Sequence, residues 1–150
     1  MKCLKKVRQL NPKYVAAIKL MGEIYLKEKK FDRAFLFLKE AMQLDPKDAE
    51  ILVMLGNMLQ EHRKAGQAVK YYQMALYQNP NEIKALLCIG NYKYEEGSYE
   101  EAAQLFERAL KQNEKLPDVQ YNLANSYFHT GEVNKAITLY QKAIELIHPI

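Results

Sequence analysis

The chain contains no tryptophan and only two cysteines, five prolines and six glycines in 150 residues. Cys3 and Cys88 lie far apart, without the short spacing of metal ligands, so neither a disulfide framework nor a zinc site is indicated. No apolar stretch approaches the roughly 18 residues that a membrane-spanning helix needs. No apolar run follows the basic N-terminus, as it would in a secretory signal. The sequence therefore predicts an intracellular protein of the cytoplasm.

Acidic charge is absent from the N-terminal segment. Residues 1–14 hold five of the 22 basic residues and none of the 18 acidic ones, so the rest of the chain is close to neutral. A near-neutral body is a poor match for nucleic acid or an acidic membrane, and we expect neither as the main partner. The basic segment and the tyrosines keep nucleic-acid binding as a lesser alternative, which predicts an affinity that falls steeply with salt.

Groups of residues with catalytic or metal-binding spacing are also missing. His62, His129 and His148 have no ligand-type partner three or four residues away. Cys88 and His129 belong to different segments and lack a third group to orient them, so a packed or exposed cysteine is the simpler interpretation. The sequence has no glycine-rich phosphate loop. We expect no enzymatic activity, no cofactor and no bound metal.

A pair formed by a large apolar residue and a small residue recurs every 34 residues, at Met21-Gly22, Leu55-Gly56, Ile89-Gly90 and Leu123-Ala124. A fixed period of this length is the signature of a repeat array, whose usual product is a binding surface rather than a reaction centre. Each unit contains two stretches with helical spacing of apolar residues and a short polar break between them. Helices joined so briefly run antiparallel as a hairpin.

Small residues in these hairpins allow the two helices to approach closely. We expect Gly22 to face Ala34 within the first hairpin, and the corresponding residues to do so in the other units. Proline then closes three of the units, at Pro12, Pro46 and Pro80.

Eight columns of the period carry a characteristic residue type. In the first unit they are Ile18, Met21, Gly22, Tyr25, Ala34, Leu38, Ala41 and Pro46, and in the second Leu52, Leu55, Gly56, Leu59, Ala68, Tyr72, Ala75 and Pro80. In the third they are Leu86, Ile89, Gly90, Lys93, Ala102, Phe106, Ala109 and Glu114, and in the fourth Gln120, Leu123, Ala124, Tyr127, Ala136, Tyr140, Ala143 and His148.

These columns resemble the signature of the tetratricopeptide repeat family in four consecutive copies. The departures are the missing tryptophan, Lys93 at an aromatic column, Gln120 at an apolar one, and Glu114 and His148 at the proline column. The pentatricopeptide family, with its period of 35, fits less well.

The resemblance implies an all-α fold, an α-solenoid of antiparallel helix hairpins that winds into a right-handed superhelix. It divides the chain into four repeats, at residues 15–48, 49–82, 83–116 and 117–150, and into residues 1–14, expected to be the C-terminal helix of an incomplete preceding repeat. Both ends then present helices without a capping partner. We expect either a segment of a longer array or self-association through these ends.

In this family the first helices of the hairpins line a concave groove that typically holds a peptide or a partner helix. The resemblance therefore implies a groove lined by Lys19, Glu23, Val53, Met54, Asn57, Leu87, Asn91, Tyr94, Tyr121, Asn122, Asn125 and Phe128. Its asparagines suit an extended backbone, because an amide both donates and accepts, and its apolar residues suit the anchors of an amphipathic partner. An equally good alternative is that asparagine is simply common at this column.

The family's site for the C-terminal acid of chaperones uses two lysines, two asparagines and an arginine. Lys19 and Lys84 match the lysine columns, but Glu23, Met54 and Cys88 replace the other three. A chaperone tail is therefore not expected. The resemblance implies a non-enzymatic scaffold in a larger multiprotein assembly, with an unidentified protein or peptide partner. A docking or regulatory arm of a larger enzyme is the alternative.

Overall fold

The computed structural model describes residues 11–149, which form eight α-helices and no strand. The helices are α1 (Pro12–Lys27), α2 (Phe31–Leu44), α3 (Ala49–Glu61), α4 (Ala65–Gln78), α5 (Ile83–Glu95), α6 (Tyr99–Gln112), α7 (Pro117–His129) and α8 (Val133–Ile147). They pack as the adjacent pairs α1–α2, α3–α4, α5–α6 and α7–α8. The predicted all-α architecture of helix hairpins is confirmed. No helix in the described range is both long and apolar enough to cross a membrane.

The chain divides into two compact units, whose described parts are residues 11–79 and 80–149. Unit 1 contains α1 to α4, and unit 2 contains α5 to α8. The core of unit 1 is one cluster of buried side chains, made of Ile18, Ala34, Leu38, Ala41, Ile51, Met54, Leu55 and Met58. The buried side chains of unit 2 include Ala85, Leu86, Ala102, Phe106, Ala109, Leu123 and Ala124.

Helix α1 begins earlier than the sequence suggested. The side chain of Asn11 accepts a hydrogen bond from the backbone N–H of Lys13 at 3.1 Å, and Pro12 occupies the first turn. Proline suits this position because its missing N–H would have no helical partner there. Pro12 therefore opens a helix instead of closing one, and residues 12–14 belong to the first hairpin. The rest of the predicted N-terminal helix, residues 1–10, lies outside the described residues.

Helices α3, α5 and α7 begin at Ala49, Ile83 and Pro117, where the second, third and fourth repeats are predicted to start. Asp48 caps α3, since its Oδ1 accepts from the backbone N–H groups of Glu50 and Ile51. The division of the chain into four repeats stays a prediction. The helix that holds the start of the first predicted repeat also includes residues 12–14.

The turn inside each hairpin holds one residue in the left-handed region, again every 34 residues. Its φ is 56° at Lys29, 58° at Arg63, 82° at Gly97 and 86° at Gly131. Glycine adopts this conformation without steric cost, whereas a residue with a Cβ is strained there. Unit 1 therefore forms its two turns with long basic residues, and unit 2 forms them with glycine.

The small residues inside the helices serve close packing, but their partner differs from the one expected. A Cβ added to Gly22, Gly56 or Gly90 would collide with the large residue of the second helix, not with the alanine one turn before it. That carbon would lie 2.6 Å from Leu38 Cδ2 at Gly22, 2.7 Å from Tyr72 Cε1 at Gly56 and 2.7 Å from Phe106 Cε1 at Gly90. Glycine at this column makes room for a leucine or an aromatic ring.

Candidate interaction surfaces

The residues predicted to line a groove divide between the two units. Face 1, on α1 and α3 of unit 1, consists of Lys19, Glu23, Val53, Met54 and Asn57. Face 2, on α5 and α7 of unit 2, consists of Leu87, Asn91, Tyr94, Tyr121, Asn122, Asn125 and Phe128.

Lys19 in face 1 is held by two carboxylates. Its Nζ lies 2.9 Å from Asp48 Oδ2 and 2.5 Å from Glu50 Oε2. Burial lowers the pKa of Lys19, but the hydrogen bonds to Glu50 and Asp48 outweigh burial and raise the pKa above its ordinary value. An ammonium engaged in this way must give up its own partners before it can bind a carboxylate from another chain. This pairing adds a second reason against a chaperone-tail site.

Val53 and Met54 are buried, with 8% and 9% of their surfaces exposed. Met54 belongs to the core cluster of unit 1, beside Ile18 and Leu55. Neither residue offers surface to a ligand, which corrects the expectation that they line an open groove. The helical spacing placed them correctly on α3, but it did not show how closely the neighbouring helices cover that side.

Asn57 and Asn125 are each hydrogen-bonded to a tyrosine of the same hairpin. The Tyr72 hydroxyl oxygen lies 2.7 Å from Asn57 Oδ1 and 2.9 Å from Gln60 Oε1. Because the hydroxyl has one proton, it donates to one amide and accepts an N–H from the other once that amide is turned. In the fourth hairpin, Asn125 Oδ1 accepts from the Tyr140 hydroxyl at 2.5 Å. These two asparagines therefore link the helices of a hairpin.

The third hairpin has Phe106 in place of the tyrosine, so Asn91 has no hydroxyl to accept from at that position. Asn91 Oδ1 instead accepts from Asn122 Nδ2 at 3.2 Å, which joins α5 to α7 across face 2. The sequence contained this signal, since a tyrosine stands fifteen residues after Asn57 and Asn125 but not after Asn91.

Face 2 exposes aromatic side chains. Tyr121 and Phe128 are 53% and 57% exposed, and their spacing of seven residues places them on the same side of α7. Tyr94 on α5 is half-buried. Burial, together with the nearby Tyr99 and Tyr121, raises the pKa of Tyr94. None of the seven residues of face 2 is charged, in contrast to the ion-paired Lys19 and the Glu23 of face 1.

A group of rings at one end of face 2 was not detected from the sequence. The His129 imidazole stacks on Tyr99 with ring centres 4.3 Å apart and an interplanar angle of 9°. Tyr94 and Phe128 meet the same imidazole edge-on, at 5.7 and 5.9 Å. This packing positions the two aromatic residues of face 2 that lie nearest His129. In unit 1, His62 packs edge-on against the ring of Phe31, with ring centres 4.5 Å apart.

These histidines therefore contact rings rather than metal-ligand groups. Within residues 11–149, no three His, Cys, Asp or Glu side chains are grouped so that they could hold a metal ion. Cys88 is a buried free thiol.

Comparison with known proteins identifies the repeat. A family model described as "Tetratricopeptide repeat" matches residues 25–87 and 93–147. No curated protein sequence matches the chain. A crystal structure of MamA protein superposes with a TM-score of 0.79 at 22% identity, covering 91% of this chain and 75% of that one. A second MamA crystal structure gives 0.78 at 21% identity, covering 97% and 85%.

YrrB, described as a TPR protein with an unusual peptide-binding site, has a TM-score of 0.72 at 24% identity. The match covers 95% of this chain and 74% of YrrB. At these identities the likeness establishes a shared fold.

Proposed function

The chain belongs to the tetratricopeptide repeat family, and from that premise we propose that it is a non-enzymatic module for protein–protein interaction whose face 2 binds a peptide or a partner helix. The module would act inside the cell as part of a larger assembly. The observation that carries the proposal is the exposure of Tyr121 and Phe128 on one side of α7, beside Tyr94 on α5.

Aromatic side chains of this kind are effective anchors. They bury a large area on binding and lose little conformational entropy, because few of their bonds rotate. The imidazole of His129, which stacks on Tyr99, also contacts the rings of Tyr94 and Phe128 and so restricts the movement of those two rings. A surface that is already ordered loses less entropy when a partner binds. Face 2 is therefore better suited than face 1 to apolar anchors from a partner.

The asparagines of face 2 supply the polar part of the contact. An asparagine side chain has two N–H donors besides its oxygen. Asn125 uses its oxygen for Tyr140 and Asn91 uses its oxygen for Asn122, so both retain donors for the carbonyl groups of a partner backbone. This chemistry grips a chain without selecting its side chains, and selectivity then comes from the aromatic positions.

The test is a selection of displayed peptides on the full chain, followed by calorimetric titration of the best binders. We expect Tyr121→Ala and Phe128→Ala each to weaken binding by about tenfold or more, as is usual for central aromatic anchors. Tyr77→Ala is the matched control, because Tyr77 is an exposed tyrosine of α4 that belongs to neither face. Chemical-shift changes on titration should map to face 2.

Equal affinity of the Tyr121→Ala, Phe128→Ala and Tyr77→Ala variants would contradict the proposal. Shift changes centred on Lys19 and Glu23 would transfer the binding site to face 1.

A further inference from the structure

The hairpin turns of unit 1 and unit 2 carry charges of opposite sign. In unit 1 the turns fall in residues 27–33 and 61–64, which contain six basic and three acidic residues. The same columns in unit 2 are residues 95–101 and 129–132, which contain five glutamates and no lysine or arginine. We call the basic residues of the unit 1 turns the basic edge: Lys27, Lys29, Lys30, Arg33, Arg63 and Lys64.

Two residues of the basic edge hold a conformation that glycine would adopt without strain. Lys29 and Arg63 are left-handed, as Gly97 and Gly131 are in unit 2. Both side chains are exposed. Among residues 11–149, no carboxylate forms an ion pair with either of them. Their charges are therefore available to a partner.

A cleft lined with rings opens beside the basic edge. It has a volume of about 550 Å³, and α2, the end of α3 and α4 contribute its lining. The lining includes Phe31, Phe35, Leu36, Met58, His62 and Tyr71. Lys39 Nζ lies 5.8 and 5.9 Å from the ring centres of Phe35 and Tyr71 and donates to the Tyr71 hydroxyl at 3.3 Å. This lysine connects α2 to α4, so the walls are ordered before a partner binds.

The ring-lined cleft is continuous with the basic edge. A second cleft of about 400 Å³ shares Phe31, Asp32 and His62 with the first and also contacts Lys29, Lys30 and Arg33. We call the two clefts together the turn cleft. Its walls are helices and turns of two consecutive hairpins, so it lies inside the array and is not an end surface of it.

We propose that the turn cleft binds an acidic linear segment of a protein partner. Carboxylates of the segment contact the basic edge, and one aromatic or large aliphatic side chain enters the ring-lined part. The apolar contact is needed because exposed ion pairs alone contribute little in water. The turn cleft contains no residue of face 1 or face 2, so it is a second interaction site.

A peptide fits this surface better than a nucleic acid does. Glu28, Asp32 and Glu61 lie among the basic residues, and Glu28 already pairs with Lys30 at 2.8 Å. A peptide can place uncharged residues against these carboxylates, whereas every nucleotide brings a phosphate. The basic residues are also confined to two turns and do not form a long track.

The test is a selection of displayed peptides on the full chain carrying Tyr121→Ala and Phe128→Ala, so that face 2 does not contribute. We expect the selected peptides to combine several acidic residues with one aromatic or large aliphatic residue. The affinity of the most strongly selected peptide, made synthetically, is then measured by fluorescence anisotropy. It should fall as salt rises, because the ion pairs are exposed.

The double change Lys29→Gly with Arg63→Gly gives unit 1 the turn residues of unit 2. It removes two positive charges and relieves the left-handed strain. Binding should weaken roughly tenfold, while the melting temperature stays the same or rises. A purely structural role would not separate these two effects. Lys70→Gln with Lys142→Gln removes two exposed charges elsewhere and should leave the affinity unchanged.

Leu36→Glu tests the apolar part of the turn cleft. Leu36 is 68% exposed, so the change should preserve the circular dichroism of the chain while it places a repelling charge at the cleft. Binding should weaken about tenfold. Met74→Glu, at an exposed apolar position of α4 outside the turn cleft, should bind as tightly as the chain with Met74.

Four results would overturn the proposal. The first is a selection that yields no peptide, or peptides without acidic residues. The second is equal affinity of the double glycine variant and its double glutamine control. The third is tighter binding of single-stranded oligothymidine than of the best peptide, which would indicate a nucleic-acid site. The fourth is self-association in sedimentation that the double glycine variant abolishes, which would assign the turn cleft to the acidic turns of a second copy.

Discussion

Face 1 and face 2 are built on the same 34-residue period, yet they present different chemistry. In unit 1, two carboxylates hold Lys19, and Val53 and Met54 are buried. In unit 2, Tyr121 and Phe128 are exposed on α7. The period determines where a residue stands on its helix, but it does not determine whether that residue is available to a partner.

The turns of the two units differ as well. Lys29 and Arg63 adopt a left-handed conformation in unit 1, where unit 2 has Gly97 and Gly131. The backbone geometry is thus kept across all four hairpins, while the strain that it causes is confined to unit 1. A hairpin turn can therefore keep its backbone conformation even with a residue that is strained in it, provided that the packing of the two flanking helices stabilises the turn.

The largest effect is expected where the glycine column meets an aromatic ring. Gly90→Ala in unit 2 places a carbon 2.7 Å from the Phe106 ring, and we expect it to lower the free energy of unfolding by about 2 kcal/mol, as overpacking of a core does. Gly22→Ala in unit 1 should cost less, because the end of the Leu38 side chain can rotate more easily than a ring. Urea unfolding of both variants measures the difference.

Gly66→Ala is the control for these two changes. Gly66 is helical and has no atom within 4 Å of the added carbon, so this variant should be stabilised by up to about 1 kcal/mol through helix propensity alone. A Gly90→Ala variant as stable as Gly66→Ala would contradict the explanation that glycine at position 90 is needed to make room for the Phe106 ring.

An exchange of turn residues between the units is expected to have a smaller effect. Arg63→Gly should stabilise the chain by about 0.5–1 kcal/mol, since the relief of left-handed strain exceeds the extra freedom that glycine has in the unfolded chain. Gly97→Arg should destabilise it by about 1 kcal/mol for the opposite reason. Thermal unfolding monitored by circular dichroism measures both shifts.

Lys70 lies inside α4 with helical geometry, so Lys70→Gly should lose about 1 kcal/mol of stability. If Arg63→Gly and Lys70→Gly behaved alike, strain at the turn would not distinguish the two units.

The smallest effect is expected at the ion pairs of face 1. Lys19→Met should cost about 0.5 kcal/mol or less at neutral pH, because the partner Glu50 is largely exposed and such pairs are screened. The folded chain raises the pKa of Lys19, so this stabilisation is present at neutral pH and is lost as the pH rises past the ordinary lysine value of about 10.5. Urea unfolding at low and high salt should show that the cost shrinks as salt rises.

Lys70→Met on α4 replaces an exposed lysine and serves as the control for the loss of one positive charge. A larger loss for Lys70→Met than for Lys19→Met would show that the pairing in face 1 adds no stability.

Much of the fold was predictable because the repeat records it locally. The spacing of apolar residues and the short polar breaks identified the hairpins. The capping residues Asn11 and Asp48 directly precede the helices that they cap, so they too are local features of the sequence. The partner of each helical glycine was not predictable, because it depends on how two helices cross. The departure at Gln120 became clear only in the structure, where its Nε2 donates to the backbone carbonyl of Glu114 at 2.9 Å. The bond reaches the backbone of Glu114, so it involves the Gln120 side chain and not the side chain of Glu114.

The candidate site was predictable only in part, for the same reason. Spacing alone placed the residues of both faces on the first helices, but the burial of Met54 depends on neighbouring helices. The packing of His129 on Tyr99 joins residues thirty positions apart, from two different hairpins. Contacts of this range leave no periodic trace in a single sequence.

The buried ring at Phe106 has a consequence for how such a surface can vary between related chains. Phenylalanine and tyrosine codons differ by one base, and the change adds one oxygen atom. At Tyr72 and Tyr140 that oxygen engages the asparagine on the same hairpin, while its absence at Phe106 leaves Asn91 bonded to Asn122. A single inherited change inside a hairpin can therefore alter what the exposed asparagines offer, while every surface residue stays the same.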